Sequence, residues 1–218
     1  MLPHETDPPI VRLFGTARFW LVGIALITVI SVYRVMQTRA LPAPDIYSTV
    51  PDFEFINQSG TSFGSEELAG NIWIANFIFT RCKTVCPIFT GKMAELQMRT
   101  EYAATKPTLI SFSVDPDHDT AEVLSEYALR FRANPARWHF LTGPTDEIRR
   151  VVEDGMKSLM GDAKTVVNPE ELMHGSHFVL IDPDLNIRGY YAVSNEDTVE
   201  RLLADMRAVA NENRHGPK

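Results

Sequence analysis

IWIANFIF, Ile72 to Phe79, carries no charge and a single polar residue, Asn76. A run this short and this apolar has the pattern of a strand buried on both faces rather than of an amphipathic helix. Directly after it, FTRCKTVCPIF, Phe79 to Phe89, holds the only two cysteines of the chain, Cys82 and Cys86. Pro87 suits the first turn of a helix, and Phe89, Met93, Leu96 and Met98 follow at near-helical spacing. The reading is a buried strand feeding a helix, with both cysteines at the junction.

Working outward, the same logic repeats. LISFSV, Leu109 to Val114, is a second buried strand, and TAEVLSEYALRFRA is a helix with Val123, Leu124, Tyr127, Ala128 and Phe131 inward. Asp119 with Glu122 three positions later resembles a capping box at its start. Two successive strand-to-helix units imply parallel strands, so the fold class is α/β. A short strand is predicted around His139 to Leu141 and a helix from Thr145 to about Asp154. Residues 155–175 read as loop or hairpin. HFVLID and IRGYY form a hairpin, and a closing helix runs from Asn195 to Ala210. Upstream, VPDFEFINQSGTSF suggests a short hairpin about Ser59-Gly60. The domain organisation is a tail over 1–17, an anchor over 18–36, a Pro-rich linker over 37–50, one α/β domain over 51–211 and a polar tail over 212–218.

The anchor follows from FWLVGIALITVISVY, Phe19 to Tyr33, which has no charge and is bracketed by Arg18 and Arg34. Fifteen residues at about 1.5 Å each fall short of a hydrocarbon core of roughly 30 Å. Snorkelling by Arg18 and Arg34, with Val35 and Met36 extending the run, closes the gap. Thr38-Arg39-Ala40 lacks the small-x-small pattern of a cleavage site, and the Pro-rich LPAPDIYSTVP that follows is unsuited to a core helix. The segment is read as an uncleaved signal anchor. Arg12 and Arg18 balance Arg34 and Arg39, so charge alone sets no orientation. Glu5 and Asp7 argue against a mitochondrial transit peptide, and the expected location is the bacterial inner membrane. With 28 acidic against 21 basic residues and a formal charge of −7, no basic stripe suits nucleic acid.

Sites in open α/β sheets form beyond the carboxyl ends of the strands. Cys82 and Cys86 lie there, as do Asp115, Asp117 and Asp119 after the next strand, and His174 precedes a third. A structural disulfide between Cys82 and Cys86 closes so small a ring that the loop-entropy model gives it roughly 2 kcal/mol, against about 4.7 kcal/mol for a hundred-residue loop. A thioredoxin-type couple uses two intervening residues and this motif has three. Two thiolates with one imidazole suit copper, as Cu(I) or Cu(II), whereas a structural zinc site wants a fourth protein ligand. Redox couple and metal site both stay open.

Of six histidines, His4 lies beyond the anchor, His215 is in the tail and His139 packs at a strand edge beside Trp138. His118, His177 and His174 remain candidates, the last in a Gly-flanked MHGS loop. DPDHDTAEVLSE matches four EF-hand positions with Asp115, Asp117, Asp119 and Glu126, but Thr120 stands where glycine is needed and a helix begins too early. Helix capping and presentation of charge to a partner fit that loop better.

TRCKTVCPIFTGKM, SVDPDHDTAEVLSEYA and HGSHFVLIDPD, in this order, closely resemble the SCO/SenC family over about residues 50 to 210. The resemblance implies a thioredoxin-like fold, a central mixed sheet flanked by helices behind an N-terminal transmembrane anchor. It further implies one copper ion held by Cys82, Cys86 and His174, and delivery to the CuA-bearing subunit of cytochrome c oxidase, with no catalytic turnover. Asp115 and Asp119 match the family's acidic loop and, with Arg81 and Lys83 beside Cys82, are candidates for contacting the partner or supporting the ligands. Met173 stands where family members often carry Asp, and His177 supplies a second imidazole nearby. The alternative the family allows is a thiol-disulfide oxidoreductase or redox sensor, with Cys82 and Cys86 keeping oxidase cysteines reduced. Other copper chaperones and thioredoxin-like reductases are the further partners implied. The soluble domain is expected in the periplasm on a single-pass anchor.

Overall fold

The computed structural model describes residues 17–37, 42–157 and 177–215. The chain divides into two units, Met1–Ala40 and Leu41–Lys218.

In the first unit, α1 spans Ala17–Gln37. Its described side chains run from Trp20 to Tyr33, and the large apolar ones, Leu21, Val22, Ile24, Leu26, Ile27, Val29 and Ile30 among them, are exposed on every side of the helix. Thr28 donates its hydroxyl to the Ile24 carbonyl at 2.7 Å. Among the described residues, no helix is long and apolar enough to cross a membrane.

The second unit is a mixed α/β domain. Its strands are β1 (Ser48–Thr49), β2 (Glu54–Asn57), β3 (Ser62–Gly64), β4 (Trp73–Ile78), β5 (Thr108–Ser113), β6 (Trp138–Thr142), β7 (His177–Ile181) and β8 (Asn186–Ala192). They form one sheet in the order β1-β8-β7-β4-β5-β6-β2-β3. The β4–β5 and β5–β6 pairs are parallel, as the two strand-to-helix units require, and the other pairs are antiparallel. Its helices are α2 (Ser65–Leu68), α3 (Val85–Arg99), α4 (Ala121–Arg130), α5 (Thr145–Arg149) and α6 (Thr198–His215), and α5 continues as one wide turn over Arg150–Gly155.

Alternation along β4 shows why the strand is apolar throughout. Ile74 and Ile78 join a core with Val85, Cys86, Phe89, Met93 and Leu96 of α3, Leu124 and Tyr127 of α4, and Leu202, Leu203 and Met206 of α6. Trp73 and Ala75 point to the opposite core, with Phe53, Phe55, Phe112, Leu68 of α2, and Ile148, Val151 and Val152 of α5 and its extension. Each neighbour in sequence needs an apolar side chain because each face of the sheet is covered. The one polar position, Asn76, accepts the Ser111 hydroxyl at 2.6 Å, and Ser111 in turn accepts the Trp138 indole N–H at 2.9 Å.

Local departures from the sequence reading have local causes. Helix α3 begins at Val85, so Pro87 is its third residue; the first-turn amides of a helix have no intrahelical partner, and a proline there forfeits nothing. The cap of α4 is Thr120, not Asp119: its hydroxyl accepts the Val123 N–H at 3.4 Å and donates to Glu122 at 2.8 Å. Asp119 is turned inward to other donors. Helix α6 runs on to His215 because the polar end finds partners, Glu212 with Arg188 at 2.6 Å and Arg214 with Thr105 at 3.0 Å.

The segment before the sheet is also fixed to the domain. Arg188, 5% exposed, donates twice to the Pro44 carbonyl, at 2.8 and 2.6 Å, and pairs with Asp182 at 3.1 Å. Ser48 and Thr49 pair with β8 and Val50 is buried.

Candidate metal centre

Cys82 stands in the loop between β4 and α3, and Cys86 is the second residue of α3. The β4 backbone launches the loop with a turn in which the Cys82 N–H donates to the Phe79 carbonyl at 3.1 Å. Thr84, at the N-cap position, makes no side-chain cap bond. The Cys86 N–H donates instead to the Cys82 sulfur at 3.4 Å. A cysteine sulfur thus takes the place of the capping oxygen. Both thiols are free; Cys82 is half-buried and Cys86 buried at 1% exposure.

The two sulfurs differ electrostatically. Partial burial works against ionising Cys82, but the Cys86, Thr84 and Val85 amides and the Cys86 thiol donate to its sulfur and hold it below the ordinary thiol value. This is the helix N-terminus acting on a thiolate. Burial drives Cys86 strongly the other way, helped by the neighbouring Cys82 and by Asp119. The environment therefore favours the thiolate at Cys82 and disfavours it at Cys86. Thr90 donates to the Cys86 carbonyl at 2.9 Å, and the buried Tyr127 hydroxyl lies 3.0 Å from Thr90. Burial and the nearby thiols push the Tyr127 phenol up to about 12.

The Asp loop does converge on the cysteine loop, with Asp117 exposed and the carboxylates that meet Thr80 and Arg81 turned inward. Asp115 and Asp119 are both buried, at 5% and 0% exposure. Arg81 pairs with Asp115, through Nε at 2.9 Å and Nη2 at 2.5 Å, so its guanidinium is committed to that carboxylate. Lys83 is exposed. Asp115, His118 and Asp119 offer ligand atoms within 4.8 Å of one another, yet the Asp115 oxygen is taken by Arg81 and those of Asp119 by Thr80 and Ser113. Thr80 and Ser113 carry no site signal in the sequence beyond the place of Thr80 two residues before Cys82, and Tyr127 reads there only as an inward residue of its helix.

Among the histidines, His174 lies outside the described residues. His177 opens β7 and alternates with Phe178, so it shares its face with Val179 and Ile181. The cysteines belong to the core on the other face, with Phe178 and Leu180. His177 instead meets Tyr190 edge-on, at 6.5 Å between ring centres. Substitution of His177 for His174 as a ligand therefore runs against the alternation of β7. His139 stacks on Phe63 at 4.0 Å, and burial lowers its pKa.

A layered α/β sheet with a two-cysteine loop at the end of its central strand defines a class of thiol-bearing domain, and comparison narrows it. Residues 43–211 match the SCO1/SenC family, and the chain belongs to that family. It is 31% identical over 161 residues to the SCO1 protein homolog of Bacillus subtilis (strain 168), covering 74% of this chain and 82% of that protein. The structure of BsSco, a member of the Sco family of cytochrome c oxidase assembly proteins in which a disulfide switch was identified, matches with a TM-score of 0.67 at 31% identity. That match covers 78% of this chain and 98% of that one. The crystal structure of Arabidopsis thaliana ScoI with copper bound shares the fold at 24% identity, with a TM-score of 0.59 over 77% of this chain and 99% of that one.

Proposed function

We propose that this chain is a copper-binding protein of cytochrome c oxidase assembly, anchored in a bacterial inner membrane by residues 18–36 with its α/β domain in the periplasm. Its cargo is one copper ion, passed by ligand exchange to the subunit that carries the CuA site. Cys82 and Cys86 hold the ion as thiolates, and His174 supplies the imidazole. The observation that carries the reading is the pair of free thiols at one helix start, with the Cys86 N–H on the Cys82 sulfur at 3.4 Å. Two adjacent soft donors, one half-exposed and disposed to ionise, fit Cu(I). Family membership and a fold relative crystallised with copper support the same reading.

Anaerobic titration of the reduced protein with Cu(I) tests it. Uptake should stop near one equivalent, and Cys82→Ser and Cys86→Ser should each abolish it. His174→Ala should weaken Cu(II) binding sharply while leaving reduction of the disulfide intact. Unchanged affinity and spectrum in His174→Ala would remove His174 from the ligand set.

One observation favours a second reading. A part-exposed sulfur with a lowered pKa beside a buried one with a raised pKa is the division of labour of an attacking and a resolving cysteine. Cys82 would attack an oxidised disulfide on an oxidase subunit, Cys86 would displace the mixed disulfide, and two electrons would leave the partner reduced and this chain oxidised. The disulfide switch of BsSco is in keeping with it. The Cu(I) titration separates the two readings, because the second needs no stoichiometric metal.

A further inference from the structure

Thr80 and Arg81, the residues just before Cys82, are both held by carboxylates of a different loop. Asp119, wholly buried between β5 and α4, uses both oxygens twice. One accepts the Thr80 hydroxyl at 2.5 Å and lies 3.0 Å from the His118 ring nitrogen. The other accepts the Thr80 N–H at 3.1 Å and the Ser113 hydroxyl at 2.7 Å. Asp115, its side chain 4% exposed, takes Arg81. Ser113 ties the Asp119 carboxylate to the Asp115 backbone, since its hydroxyl oxygen also accepts the Asp115 N–H at 3.1 Å. Cys82 itself is held from the other side, by a turn bond to Phe79 and by the Cys86 N–H on its sulfur, so the carboxylates fix the chain just before it and the helix start fixes the side chain.

We propose that Asp119, supported by Asp115, is a positioning residue for Cys82, so that the β5–α4 loop sets where the Cys82 sulfur stands over the first turn of α3. A buried carboxylate with these donors is costly to rearrange, which makes it a rigid pin for the chain just before Cys82. Its effect is to hold one sulfur beside the other, raising the effective concentration at which Cys86 meets Cys82. That quantity governs closure of the disulfide and the joint grip of two sulfurs on a soft cation alike. The inference rests on the reading of Cys82 and Cys86 as the working pair.

The test is the equilibrium of the full-length protein in detergent with glutathione. Oxidation converts the dithiol and one glutathione disulfide into the protein disulfide and two glutathione thiols, and the ratio is read by acid-quenched alkylation and mass spectrometry. Asp119→Asn and Thr80→Ala should each lower the effective concentration of the dithiol by about fivefold or more, and Thr80→Ser, which keeps the hydroxyl, should return it to within about twofold of wild type. Cu(I) affinity should fall in the same order. If both first variants stay within about twofold of wild type while urea unfolding shows lost stability, Asp119 is merely structural and the proposal fails. Equal losses in Thr80→Ser and Thr80→Ala would also overturn it. Should Asp119→Asn not fold, the Thr80 pair decides. Should wild type bind no copper, the proposed cargo is wrong and the glutathione equilibrium still settles the positioning.

Discussion

The two strand-to-helix junctions at the centre of the sheet, β4 to α3 and β5 to α4, share a topology and use opposite chemistry. At the second, Thr120 caps its helix with a hydroxyl oxygen and the loop buries two carboxylates. At the first, Thr84 makes no side-chain cap bond, and the amide that a cap leaves waiting goes to the Cys82 sulfur. One helix start is closed by oxygen and structurally finished. The other is completed by a sulfur, the one proposed above to hold copper. An oxygen cap on α3 would compete for the N–H groups that lower the Cys82 thiol, so the missing cap leaves those donors to the sulfur.

The sharpest way to break that contrast is to remove a sulfur. Cys86→Ser should abolish stoichiometric Cu(I) uptake, measured anaerobically against a chromophoric chelator, while the fold stays intact by circular dichroism. Acidity should come next. If both cysteines bind as thiolates, both give up protons to the cation, and burial raises the cost of doing so at Cys86. Affinity must therefore rise with pH, by roughly tenfold per pH unit for each proton released. Chelator competition from about pH 6 to about pH 8 that gave a flat profile would refute the assignment of two thiolates.

Stability effects sharpen the other side. Asp119→Ala strands the Thr80 and Ser113 donors and should cost about 3 kcal/mol in urea unfolding. Thr120→Ala removes a working cap and should cost about 1 kcal/mol without touching thiol chemistry. Thr84→Ala, at the uncapped junction, should stay within about 0.5 kcal/mol of wild type. A loss at Thr84 as large as at Thr120 would mean that the two helix starts are capped alike.

The strand IWIANFIF, its twin LISFSV and the placing of both cysteines at a strand end were legible because apolar runs and their breaks report burial directly. The family was legible for a different reason: three separated motifs occur in order. The carboxylates were read less well. Asp119 looked like a helix cap because Glu122 follows at the right spacing, but Thr120 caps from one position on, and the donors that claim Asp119, Thr80 and Ser113, come from two other segments. Spacing sees only local partners. Whether His177 could replace His174 was open in the sequence; β7 alternates and turns His177 to the Tyr190 side of the sheet.

What the sequence determined by itself was the layered α/β plan, the two-sulfur motif and the family, all of which follow from periodicity and from residues near one another in the chain. Only the tertiary structure decided which carboxylates are buried and why Cys82 and Cys86 differ. Burial of Cys86 in the core separates it from Cys82, which the first-turn amides of α3 hold, and Asp119 is claimed by Thr80, 39 residues away; no spacing rule reaches across the gap between two loops that meet only once the sheet has formed.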